Sequence, residues 1–139
     1  MTPRRGSAAT RSVSEGDAAA YLSKAREFLR AATDALAIGN HVAAASNAVH
    51  AGIAGADVIA AAHLGAVWAG EHTLAAGHVA QAGREGSQAA AHLRRLLPLK
   101  TRAEYDPRPI PAADARAALR AAERLVALAE GVAGPRPGA

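Results

Sequence analysis

The chain has 139 residues, a formal net charge of +4 and no cysteine, and half of its residues are apolar although only 3% are aromatic. That length suits one domain with one core, and the missing thiols exclude a disulfide framework and a cysteine zinc site. Close to a third of the residues are alanine, the best helix former and a poor strand former, so the expected class is all-α.

Residues 1–15 are polar and basic with no apolar run behind them, which predicts a disordered basic tail rather than a secretory signal. The helical domain is expected over residues 16–131, with a second loose tail over 132–139. A first helix is predicted over 17–38. Ala18, Tyr21, Leu22, Ala25, Phe28, Leu29, Ala32 and Leu36 share one face, with Lys24, Glu27, Arg30 and Asp34 opposite. Gly39-Asn40 stops it. A second helix follows over 40–64, with Gly65 as its stop and Val42, Val49, Ile53, Ala56 and Ala60 as its apolar stripe. Its remaining faces are nearly all alanine and glycine, which places it centrally in the fold. It is long enough to span a membrane. Asn47, His50, Asp57 and His63 interrupt it, and alanine gains little from lipid, so a membrane span is not expected. With no cysteine and no signal, the expected compartment is the cytoplasm.

A short helix over 71–81 is interrupted by Gly77 and followed by the connector AGREG. A fourth helix begins near Ser87 and runs into LPLKTRAEYDPRPIP. Pro98 within it is expected to bend it, and Pro107, Pro109 and Pro111 close it down. The last helix, 112–130, turns Ala115, Leu119, Ala122, Val126 and Ala129 inward. Short connections make antiparallel neighbours, and the product is an up-and-down bundle of four to five helices.

His50 and Asp57 are seven residues apart, hence on nearly one azimuth and about 10 Å apart along the second helix. Asp57 borders an apolar stripe and requires a cation or hydrogen-bond donors if buried. On the fourth helix the Leu93–Leu97 stripe continues into Lys100 and Glu104, so a charged pair extends an apolar face: either the bundle ends there and the stripe meets water, or these charges sit in a polar pocket. Lys100 and Arg102 are expected to contact phosphate or to pair with Asp57, Tyr105 to stack or hydrogen-bond, and His50 and Glu104 to complete the pocket. The six histidines show no HExxH and no Glu-x-x-His spacing, so no metal or cofactor is expected. Arg116, Arg120 and Arg124 form a like-charged i,i+4 ladder, a solvated face or a grip for phosphates. No Walker loop, GxGxxG or GxSxG occurs.

The run KAREFLRAATDALAIGNHVAAASNAVHAGIAGADVIAAAHLG, the GEH after the next short loop and the segment LRRLLPLKTRAEYDPRP before a final amphipathic helix resemble the HEPN superfamily (higher eukaryotes and prokaryotes nucleotide-binding). The resemblance spans roughly residues 18–129. It implies a helical bundle that commonly dimerises. Many members are metal-independent ribonucleases of toxin–antitoxin, abortive-infection or CRISPR systems, with an arginine four to six residues before a histidine. Others lack that motif and act as partner or nucleotide-binding modules. Here Lys100 stands in the arginine position and Tyr105 in the histidine position. In a second register Tyr105 matches a tyrosine of some toxins and Ala103 replaces the histidine. The resemblance therefore implies a non-catalytic or degenerate module, dimeric, that binds RNA or nucleotide phosphate or a partner protein, a nucleotidyltransferase-type protein among them. The alternatives are a ribonuclease toxin with an altered catalytic set and an antitoxin-like interaction protein without nucleic-acid affinity.

Overall fold

The structure is a computed structural model that describes residues 9–133. Within them the chain forms β1 (Thr10–Ser12), α1 (Glu15–Ala37), α2 (His41–Leu64), β2 (Ala66–Trp68), a 3-10 turn (His72–Leu74), α3 (Ala75–Val79), α4 (Gly83–Tyr105) and α5 (Ala112–Ala133). The class is all-α, with one two-stranded sheet added.

Local chemistry sets the helix ends. At the start of α1 the Asp17 carboxylate accepts the Ser14 backbone N–H at 2.9 Å, which satisfies a donor the helix cannot. Gly65 ends α2 in the left-handed region, φ +65°, where a side chain would be strained.

Contacts between elements fix the topology. Ala35 clusters with Ala44, and Ala18 clusters with Ala61, so α1 and α2 run antiparallel. Gly52 of α2 faces Leu96 and Leu93 of α4, while Gly55 faces Leu125 and Val126 of α5. Arg102 near the end of α4 meets Asp114 near the start of α5. The four long helices therefore alternate in direction, as expected. α2 and α5 pack on each other, and α1 and α4 each pack on both.

α2 is the core rod. Among its buried residues Val49, Val58 and Ile59 are fully covered, each contributing about 1.5–3 kcal/mol relative to exposure. Its length and hydropathy also fit a membrane span, but 61% of its most apolar stretch is buried against the rest of the bundle. The two glycines weaken the helix intrinsically by about 1 kcal/mol each relative to alanine. They stay because a Cβ at Gly52 would strike Leu96 Cδ1, and one at Gly55 would lie 2.7 Å from Leu125 Cδ2. Bare backbone there lets two leucines from flanking helices reach the rod. One strip of α2 stays half-exposed: Ser46, His50, Ile53 and Asp57, in steps of four, three and four.

Several elements differ from the sequence expectation. Of the expected N-terminal tail, residues 1–8 lie outside the described residues, but Thr10–Ser12 pair antiparallel with Ala66–Trp68. The Val13 N–H also donates to the Gly65 carbonyl at 3.0 Å. Three residues with no apolar alternation give no strand signal; the partner edge, 54 residues away in sequence at nearest, makes the strand. Of the expected C-terminal tail, residues 134–139 lie outside the described residues, while Val132 and Ala133 still belong to α5. α4 starts at Gly83 rather than Ser87. Gly83 turns the chain at φ +70°. At Gly86 a Cβ would strike the Val79 carbonyl, so glycine is what lets α4 start directly against α3. As expected, α4 runs on past Pro98, to Tyr105. Val42, expected inward, is 42% exposed.

Candidate functional site: a polar cleft over the central helix

The half-exposed strip of α2 is bordered by Phe28 of α1 at His50 and by Leu93 of α4 at Asp57, and this border region is the cleft. At one end His50 stacks on Phe28 of α1, ring centroids 5.2 Å apart. Burial pushes the His50 imidazole below its usual range. Glu104 opposes this, while Lys100, His72 and Lys24 add to it. The structure therefore brings together three of the expected site residues, His50, Lys100 and Glu104. Lys100 Nζ and Glu104 Oε2 form a 3.2 Å ion pair, and both side chains are mostly covered, at 24% and 29% exposure. The charged extension of the Leu93–Leu97 stripe is thus a half-buried pair lying where the apolar core gives out beside His50.

Asp57 lies farther along the strip, in a tight recess lined by Ile53, Trp68, His72, His78 and Leu93. Two contacts hold that wall in place. The Trp68 indole N–H donates to the Glu71 carbonyl at 2.7 Å. His78 Nε2 donates to the Ala66 carbonyl at 2.8 Å, which fixes its tautomer. Desolvation raises the Asp57 carboxyl to about 7, against the pull of Arg11 and Lys24. Arg11 reaches this end of the cleft because β1 carries it there, and its guanidinium donates to the Tyr21 hydroxyl.

The other expectations for the LKTRAEYDPRP segment are corrected. Lys100 is committed to Glu104, and Arg102 to Asp114 at 3.2 Å, so neither pairs with Asp57. Asp106 accepts the Arg108 backbone N–H at 2.9 Å and two of its guanidinium nitrogens at 3.0 Å, which holds its carboxyl below the usual range. Tyr105 is 77% exposed and does not close over the cleft. Charges that stand out in the sequence are therefore mostly matched locally, and two of the three pairs fasten the α4–α5 corner. The reason is directional. Arg102 points to the α5 side of α4, about 160° of helical rotation from Lys100.

Sequence reasoning missed Lys24, Arg11, His72, His78 and Trp68 as neighbours of this cleft. Lys24 sits on the outward face of α1 by periodicity, and Arg11 lies in a segment without any pattern. His72 and His78 are joined to the cleft only by the packing of α3 and β2. At the His50–Lys100 end the cations are Lys100, paired with Glu104, and Lys24 of α1. At the Asp57 end a carboxyl that titrates near neutrality is suited to proton exchange. The cavity there, about 10 Å³, holds at most one water-sized group, which leaves no room for a reacting substrate. Among the described residues no group of three or more His, Asp or Glu side chains is placed to hold a metal.

No protein-family model matches the chain, and the search of curated proteins finds no match either.

Proposed function

We propose that this chain is a non-catalytic module of the HEPN type that binds RNA or nucleotide phosphate and works as a homodimer. The observation that carries the reading is the half-buried Lys100–Glu104 pair beside His50, with Lys24 and His72 close enough to act on the same imidazole. An i,i+4 ion pair holds its lysine by only about 0.3–0.5 kcal/mol. A phosphate dianion offers Lys100 a stronger charge-assisted partner, and Lys24 a second contact across the cleft. His50, held below its usual range by burial and stacked on Phe28, supplies a flat polar edge.

Isothermal titration with nucleoside monophosphates tests this. Lys24→Gln with Lys100→Gln is expected to remove binding of the nucleotide. Equal affinity in wild type and double variant rules the cleft out. The ribonuclease alternative requires RNA cleavage that is lost in Tyr105→Phe.

Dimerisation has its own support. Ile38 (73% exposed), Val42 and Tyr105 lie at the same end of the bundle, where α1 ends, α2 starts and α4 ends. Exposed apolar side chains gathered at one end suit a second copy or, on the interaction-protein reading, a different partner. Ile38→Glu with Val42→Glu is expected to shift the light-scattering mass to that of one chain.

A further inference from the structure

The arginine ladder on α5 is not used by the cleft. Arg120 and Arg124 line a groove between α4 and α5, and Arg95 of α4 faces them across it. The floor is apolar: Leu99, Ala117, Ala118 and Ala121. All three arginines are exposed, and none has an acid partner within ion-pair distance among the described residues, unlike Arg26, Arg102 and Arg108. The groove continues past Arg124 into a shallower depression bounded by Gln88, His92 and Leu128. His92 senses the concentrated charge. Its imidazole is held below the usual range by burial first and then by Arg95 and Arg124.

Three unpaired guanidiniums around one trough repel each other, and an anion relieves that repulsion. The part between the three arginines holds about 160 Å³ and the adjoining depression about 470 Å³, and together they extend along α4 from Gln88 to Leu99 and along α5 from Ala117 to Leu128. A trough of that elongated form suits an extended ligand rather than a compact one. Arg120 and Arg124 are one turn apart, about 6 Å along the axis. That is near the separation of alternate charges on a stacked strand, which carries one per about 3.4 Å. Helix axes about 8–10 Å apart leave a trough too narrow to seat a duplex. The apolar floor between the cations suits the sugar faces of a single strand and offers nothing to a chain made of phosphate alone.

We propose that the α4–α5 groove is a sequence-blind track for a single-stranded nucleic-acid backbone, with Arg95, Arg120 and Arg124 on its phosphates. This goes beyond the nucleotide cleft and does not rest on it. The two sites lie on different sides of α4, since Lys100 and Glu104 are on the α2-facing side and Arg95 is on the α5 side.

The test is fluorescence anisotropy with labelled oligo-U and oligo-dT over a salt series. Each phosphate contact to a single strand contributes about 0.7 to the slope of log affinity against log salt. Three contacts give a slope near 2, or about a twentyfold loss of affinity between roughly 50 and 200 mM salt. The variant Arg95→Gln/Arg120→Gln/Arg124→Gln is expected to lower that slope by about 2, and the matching triple lysine variant to keep it. An Arg26→Gln variant, whose cation bridges α1 to α5 outside both sites, is expected to keep it as well. An unchanged slope in the triple glutamine variant overturns the proposal, as does the absence of strand binding by wild type. Inorganic polyphosphate or a duplex binding as tightly as the strands overturns it too. If nucleoside monophosphates fail to bind while the glutamine variant still loses the slope, the groove stands and the cleft falls. A slope lost only in the Lys24→Gln/Lys100→Gln variant has the opposite meaning.

Discussion

Replacing Asp57 by asparagine keeps the side-chain shape and removes the charge, so it isolates the cost of that carboxyl. In the folded chain the group titrates at about 7 instead of 3.8, because burial outweighs the attraction of Arg11 and Lys24. Raising an acid's pKa means the folded state holds a proton that the unfolded state has released. Stability therefore falls as pH rises, starting above the unfolded value and levelling off above about 7. From pH 5 to pH 8 the unfolded carboxyl is ionised throughout, and the folded one crosses about two units. At 1.36 kcal/mol per unit this amounts to about 2–3 kcal/mol lost, an upper figure because the side chain is partly open to solvent. Urea unfolding of wild type and Asp57→Asn at pH 5, 6, 7 and 8 measures it. The two midpoint curves are expected to diverge with rising pH, the asparagine variant becoming the more stable by that amount. Parallel curves would refute the account of a desolvated carboxyl.

Arg11→Gln removes an attractive charge, so the Asp57 carboxyl is expected to titrate higher still by carbon-13 NMR. A titration that does not move would mean β1 does not hold Arg11 at the cleft. Gly86→Ala drives a methyl into the Val79 carbonyl, and Gly52→Ala into Leu96. Both are expected to lower stability in urea by about 1–3 kcal/mol, Gly86→Ala the more, since backbone yields less than a leucine methyl. Gly77→Ala and Gly131→Ala meet open space within helices and are expected to raise stability by about 0.4–1 kcal/mol. The Arg26–Glu130 bridge joins α1 to α5 at 2.9 Å, but both side chains are 45% exposed. Arg26→Ala should therefore change the urea midpoint by less than about 1 kcal/mol, an effect that shrinks with salt.

The sequence by itself determined the class, the four long helices and the inward faces of α1 and α5. The α1 and α5 stripes survive because a residue's azimuth on a helix follows from its position, and a helix with one apolar face buries that face. The uniformly small, apolar α2 reads as central for the same reason: every one of its faces tolerates a neighbour. Lys100 and Glu104 were legible as a charged end to an apolar stripe.

Only the tertiary structure decided the partners. His50 reaches Lys100 and Glu104, yet Asp57, on nearly the same azimuth, meets Trp68, His72 and His78 instead. Two helical turns along the rod separate what the helix wheel superimposes. Arg102 goes to Asp114, and Arg11 arrives on a strand that exists only because β2 is there to pair with it. Periodicity is a short-range property of one element, whereas ion pairs, strand pairing and the arginine trough each require two elements distant in sequence to arrive at one place.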